Sequence, residues 1–360
     1  MASEISIIVP VYNRPAELEE LLLSLSVQTE SAFDVIIVED GSQLRSDAVA
    51  KSYDDKLQIK YFYKENSGPG LSRNYGCEKS QSGFFVFFDS DCVVPPTYIA
   101  DLKQHLQDLD AFGGPDRSHA SFTPVQKAIS YSMTSLFTTG GIRGNKKSVE
   151  KFHPRSFNMG FTREVFEKTG GFSSMRFGED IDLSIRIVAQ GFSSKLIPEC
   201  FVFHKRRTDF RKFFKQVFNS GIARINLYKR HPQSLRLLHF FPSAFVIYQF
   251  LSIPHALYHQ QLWVLYPTVA YLLLLLTDAL KTEKNQQLLC FPFGRLWFSY
   301  LVTVWVLLKV LSKGSSLASP NSTPTIRRFI SEGSSAHRQG SYDHGLVTTT
   351  LPTLLTAVVS

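Results

Sequence analysis

Residues 84–92 read FFVFFDSDC. Five apolar residues end abruptly in Asp89, Ser90 and Asp91. The run Phe84–Phe88 does not alternate with polar residues, so it is not a half-exposed strand; it suits a central strand covered on both faces. Side chains at i and i+2 of a strand share a face, so persisting strand geometry projects Asp89 and Asp91 together from the carboxyl end, where ligands of open α/β sheets bind. Two like charges held close require a cation or protons. A hard divalent ion, Mg²⁺ or Mn²⁺, is the natural partner of oxygen ligands. The alternative is an acidic loop that caps the next helix.

Working outward, strand and helix patterns alternate from residue 1 to about 115. ISIIV (5–9), DVIIVE (34–39) and LQIKYFY (57–63) read as strands. Pro15 opens a helix with Leu18, Leu21, Leu22 and Leu25 on one face, and another helix starts near Leu71. Alternating elements predict a doubly wound, mainly parallel α/β sheet. From 116 to 207 the pattern loosens into an expected second half of the same catalytic unit, with a strand in KLIPECFVF (195–203) and a glycine-stopped helix in DIDLSIRIVAQG (180–191). TTGGIRGNKK (138–147) reads as a mobile loop.

Composition separates the remainder. The chain has 360 residues, 44% hydrophobic, with a net charge of +8 and a pI near 9.2. Its four cysteines form no CxxC pair and read as free thiols. MASEISIIVPVYN lacks the basic start and long apolar core of a signal peptide, which keeps the following domain in the cytosol. Residues 208–239 predict a basic amphipathic helix; from Lys205 to Arg236, ten Lys/Arg face one acid, Asp209. Beside a membrane anchor, such a helix contacts lipid. Nucleic acid is the rival partner for a basic patch, and is set aside because apolar segments follow at once. These are 240–258, 262–280 and 296–311, read as two or three membrane helices within 240–312. The expectation is a cell-inner-membrane protein with its catalytic domain in the cytosol. Residues 313–360, polar and aperiodic, read as disordered.

Further motifs gather at the edge that carries Asp89 and Asp91. PVYNR (10–14) ends the first strand and VEDGS (38–42) the second, where Asp40 can accept from a base N–H or a ribose hydroxyl; an Asp-Gly turn is the alternative. NSGPGLSRNYG (66–76) places Arg73 and Asn74 on a helix start, which favours phosphate or ribose. It lacks the third glycine of a dinucleotide fingerprint. In RSFNMGF (155–161), Gly160 permits either close sugar approach or tight packing. FGEDIDL (177–183) sets Glu179 and Asp180 at a helix N-terminus, as dipole partners or as a general base. His204 ends a strand and can complete a metal site.

Taken in order, ISIIVPVYNR, VIIVEDGS, GPGLSRNYG, FFDSD, FNMG, GEDIDL and His204 resemble family 2 glycosyltransferases of the GT-A fold, over residues 4 to 210. The apolar tail resembles that of bacterial members that build cell-surface glycans. The resemblance implies that Asp91 coordinates Mg²⁺ or Mn²⁺, and that Asp89 meets the ribose or the metal. It places Pro10, Tyr12, Asn13, Arg14 and Asp40 around the nucleotide, and Arg73, Asn74, Ser90 and Gly160 around the donor. Asp180 matches the catalytic base, with Glu179 beside it, and His204 the C-terminal histidine. Ser72 stands where that family usually has alanine. The implied activity is inverting transfer from a nucleoside-diphosphate sugar, UDP-linked first, to a glycan or polyprenyl-linked acceptor. In domain terms, 1–115 binds the nucleotide sugar and 116–207 carries the acceptor and catalytic side. The rival readings are a sugar-nucleotide nucleotidyltransferase and a non-catalytic membrane scaffold that binds nucleotide sugar.

Overall fold

The computed structural model describes residues 4–117, 153–204 and 210–282, with residues 123, 135 and 137 between them. The loop at 138–147, the third apolar segment (296–311) and the tail (313–360) lie outside the described residues.

The opening stretch behaves as its composition requires. Phe84–Phe88 forms strand β4, fully buried along its length. It pairs in parallel with β1 (Ile5–Val11), which pairs in parallel with β2 (Phe33–Asp40), which pairs in parallel with β3 (Ile59–Lys64). Helices α1 (Pro15–Ser26), α2 (Asp47–Lys51) and α3 (Pro69–Lys79) provide the crossovers. Strand alternation sends side chains to two separate cores. Ile5, Ile7, Val35, Ile37, Val86 and Phe88 meet α1 and the helix α4 (Tyr98–Lys103) on one face. Ile8, Ile36, Val38, Phe85 and Phe87 meet Cys77 of α3 on the other, with Val165 of α5 (Arg163–Thr169) and Leu183 and Ile187 of α6 (Glu179–Ala189).

The expected architecture, a GT-A-type, mainly parallel sheet followed by transmembrane helices, is corrected. The structure has two sheets in a Rossmann-like arrangement. The larger is seven-stranded and mixed, in the order β3-β2-β1-β4-β8-β6-β9, with β6 at Ala111–Gly113, β8 at Asn158–Thr162 and β9 at Ser194–Leu196. Strand β8 runs antiparallel to both β4 and β6. The smaller sheet, β5-β10-β7, joins Cys92–Val93, Val202–His204 and Asp116–Arg117. Several of these pieces have two or three residues, too few to display a period in the sequence.

The C-terminal expectations are also corrected. Among the described residues, no helix is long and apolar enough to cross a membrane, which overturns the inner-membrane anchoring read from the apolar segments. The apolar run of helix α8 (Phe241–His259) is broken by Gln249, Ser252 and Pro254, and the helix carries His255 and His259. The helix α9 (Tyr266–Thr282) has 17 residues. At about 1.5 Å per residue it falls short of a hydrocarbon core of about 30 Å. The two pack through Phe245, Val246, Tyr271 and Leu275, and Gln249 Nε2 donates to Thr268 Oγ1 at 2.7 Å. The basic helix α7 spans Phe210–Arg230, shorter than the expected 208–239. Its Ala223 and Leu227 are buried against Gly178, at the start of α6, and not reserved for lipid.

Candidate functional site

The site gathers at the carboxyl ends of β1, β2 and β4. Strand β4 stops at Phe88. Asp89 opens a turn in which the Cys92 N–H donates to the Asp89 carbonyl at 3.0 Å. The turn ends the strand alternation, and the two carboxylates take different partners. Asp89 Oδ1 accepts from Arg73 Nη2 at 2.6 Å. Asp91 Oδ2 accepts from Arg14 Nη1 at 2.7 Å, and its Oδ1 lies 3.1 Å from His204 Nε2. Ser90 is buried between them. Burial opposes charge on Asp91, yet His204 and then Arg14 outweigh it and hold the carboxyl well below the usual carboxylate range.

His204 reaches Asp91 because β10 pairs with β5, which sets His204 opposite Cys92. Its ring stacks on Phe157, centroids 4.8 Å apart. The ligand atoms of Asp91, Cys92 and His204 lie within 4.8 Å of one another. Asp91 Oδ1 and His204 Nδ1 are buried without a well-aligned hydrogen bond. A carboxylate oxygen and an imidazole nitrogen fit a divalent ion, and Mn²⁺ suits the mixed pair better than Mg²⁺. Cys92 is a poor third ligand for such an ion. Burial, then Asp91 and Asp89, push its thiol well above the ordinary value, and its Sγ faces the Phe157 carbonyl. Asp89, tied to Arg73, stands outside this group.

The nucleotide-side motifs divide. Asn13 has a left-handed backbone, φ +55°, and its Oδ1 accepts from the N–H groups of Gln43 and Leu44 at 2.8 and 2.9 Å. It therefore fixes the loop after β2. Pro10 lies beyond Ile8, the last β1 residue paired with β4, where its missing N–H costs that ladder nothing. Tyr12 is half exposed at this edge, 52%. Asp40 is already engaged: Lys64 binds it, and the N–H groups of Ser67 and Gly68 donate to it at 2.9 Å each. In the same turn, Gly41 at φ +72° leaves room for the Asn66 backbone nitrogen, 2.7 Å from where a Cβ would sit.

Two donor-side residues are structural in their contacts. Asn74 exchanges hydrogen bonds with the Phe172 backbone, both at 2.8 Å, and so ties α3 to the loop after α5. Gly160 sits inside the sheet, where a Cβ would approach Phe112 Cε1 to 2.4 Å and the Phe85 carbonyl oxygen to 2.6 Å. Packing accounts for its lack of a side chain.

Helix α6 brings in the remaining acids. Arg73, 2% exposed, spans from Asp89 to Glu179, whose Oε1 is 3.4 Å from Nη1. Burial, then the adjacent Asp180, push the Glu179 carboxyl up to about 7. Asp180 Oδ2 lies 2.8 Å from Arg155 Nε, and Oδ1 accepts from the Ile181 N–H at 2.8 Å. Arg155, Lys64 and Phe157 were not singled out from the sequence. Each acts through a partner supplied by the tertiary fold, and no local pattern reveals it.

Together these features define a Rossmann-like α/β domain with a ligand edge rich in carboxylates and arginines. Residues 6–170 match the family model for glycosyl transferase family 2. An uncharacterised glycosyltransferase of Rickettsia bellii is 37% identical over 200 residues, which are 54% of this chain and 28% of the relative. Glycosyltransferase AglE of Haloferax volcanii is 25% identical over 241 residues, covering 64% of this chain and 76% of that one. The chain spans no more than 33% of the length of the first rickettsial relatives it matches. Among solved structures, a mannosyltransferase of Pyrobaculum calidifontis in complex with GDP-Man and Mn²⁺ aligns with a TM-score of 0.55 at 16% identity, over 87% of this chain and 88% of that one. At that identity the likeness concerns the fold alone. The relatives named here are glycosyltransferases, and the family-model match runs from β1 to the end of α5.

Proposed function

We propose that the protein is a metal-dependent, inverting glycosyltransferase that moves a sugar from a nucleoside diphosphate to a hydroxyl of a glycan acceptor. The observation that carries this reading is the Asp91–His204 pair beside the Asp89–Arg73–Glu179 bridge, which links the turn after β4 to the start of α6, where Asp180 follows Glu179. Asp91 and His204 would hold the ion, which when bound offsets the charge developing on the departing diphosphate. Asp180, oriented by Arg155, takes the proton of the acceptor hydroxyl. The acceptor oxygen then bonds to the anomeric carbon as the carbon–phosphate-oxygen bond breaks, and that electron pair leaves with the diphosphate. One displacement inverts the anomeric centre and needs no carboxylate nucleophile. Tyr12 and the Asn13-fixed loop offer a surface for the base. The GDP-Man and Mn²⁺ of the mannosyltransferase complex make GDP-sugars as reasonable a donor class as UDP-sugars.

The test is a panel of UDP- and GDP-sugars assayed for turnover and, separately, for binding. Asp180→Asn keeps size and polarity but cannot take the proton, so turnover should fall by about 10²–10⁴ with donor affinity nearly unchanged. Near-normal turnover in Asp180→Asn, with collapse in Glu179→Gln, would move the base one residue back.

A further inference from the structure

We propose that Arg14 is an internal counter-cation: it occupies Asp91 when no ion is bound, and moves to the donor's diphosphate when one arrives. The inference rests on the metal reading of Asp91 above and adds a residue that couples the two ligands. Arg14 Nη1 is 2.7 Å from Asp91 Oδ2, on the oxygen that His204 leaves open. A divalent ion at Asp91 meets this guanidinium at short range, and two cations on one carboxylate repel. His204 approaches the other oxygen and need not move.

Arg14 is built to leave. Its side chain is 33% exposed, against 10% for Asp91. Its backbone is not free to follow. Asn13, at φ +55°, is clamped to Gln43 and Leu44, its N–H donates to Ser42 Oγ at 2.7 Å, and the Arg14 carbonyl accepts from the Leu18 N–H at 3.1 Å. Displacement is therefore confined to the side chain. A guanidinium released beside an ion-binding carboxylate has a strong alternative partner in phosphate oxygens, which it binds as a two-pronged donor. Arg73 cannot serve in its place without abandoning two acids, the partly exposed Asp89 and the buried Glu179. The consequence is thermodynamic. Ion binding costs the Arg14–Asp91 contact, and the diphosphate restores a partner to Arg14, so each ligand strengthens the other by the same factor.

The experiment measures Mn²⁺ affinity by electron paramagnetic resonance on the full chain, with and without UDP, and in a parallel series GDP. Wild type, Arg14→Gln and Asp91→Asn are compared; chelation of Mn²⁺ by free nucleotide is common to all and cancels in ratios between variants. Arg14→Gln should bind Mn²⁺ alone about tenfold tighter, the order of one charge-assisted contact. The strengthening of Mn²⁺ by nucleotide should shrink by a similar factor. Unchanged Mn²⁺ affinity in Arg14→Gln, with weakened affinity in Asp91→Asn, would overturn the role of Arg14 and leave the metal site standing. Unchanged affinity in Asp91→Asn would overturn both. A second measurement avoids substitution: the ¹⁵N-labelled wild type is titrated with Mg²⁺ and followed at the Arg14 Nε–H signal. The signal should shift as the guanidinium leaves Asp91, and a stationary signal at saturating Mg²⁺ would overturn the proposal.

Discussion

Glu179 is the acid that the fold holds least comfortably. It is 7% exposed, abuts Gly70 of α3, and shares Arg73 with Asp89. Burial, then the charge of Asp180, raise its carboxyl to about 7, and Arg73 offsets only part of this. The sign follows directly. A raised folded-state value means that the fold favours the protonated acid, so this contribution to stability is full below the ordinary value of 4.5 and is lost as pH rises through about 7. Glu179→Gln stays neutral at every pH. Its stability relative to wild type should climb across roughly pH 4.5 to pH 7 and level off above, as read by urea denaturation at each pH. Parallel curves for the two proteins would show that Glu179 keeps an ordinary carboxyl. At this scale the sequence exposes acids that follow strands or open helices and a histidine that ends a strand, which is why Asp91, Asp180 and His204 stand out. It does not show which cation each acid meets, because Arg14, Arg73 and Arg155 are brought to them from distant positions in the chain.

Beyond the apolar contact of Ala223 and Leu227 with Gly178, α6 reaches the end of α7 through a buried carboxylate. Asp182, 1% exposed, accepts from Arg186 Nε at 3.0 Å and lies 2.9 Å from His231 Nε2, just past the end of α7, with Arg230 Nη1 at 3.6 Å. Burial opposes its charge, but His231 and Arg186 keep its carboxyl below the ordinary value. Its contribution to stability is therefore present above pH 3.8 and lost as pH falls below it. Asp182→Leu would leave Arg186, Arg230 and His231 without their shared acceptor, at a cost of about 3 kcal/mol. Amide exchange across 210–230 should accelerate more than exchange in β1 or β2; uniform acceleration would mean that Asp182 supports the whole domain and not this junction. The long elements were legible: strands of five or more residues and amphipathic helices carry a period. The partner of α7 was not. An apolar stripe beside basic residues has the same pattern whether it covers lipid or, as Ala223 and Leu227 do here, the start of another helix.

At the scale of the molecule, the parallel core of β1 to β4 followed from alternating strands and helices, whereas the mixed sheet did not, because nothing local to Asn158–Thr162 states that it runs against β4. That reversed strand sets a schedule for synthesis. One edge of β4 is covered by β1, made earlier; the other waits for β8, which leaves the ribosome much later. Until then a nascent chain carries Phe84–Phe88 with a row of unpaired backbone groups, an aromatic segment of the kind that recruits other chains. A fragment comprising residues 4–117 should therefore self-associate and bind thioflavin T, and a synthetic peptide of residues 155–165 should suppress this by taking the open edge. A fragment that stays monomeric would show that the edge is protected in some other way. The strand that completes the sheet thus doubles as a shield whose late arrival makes the half-made protein a natural client for chaperones.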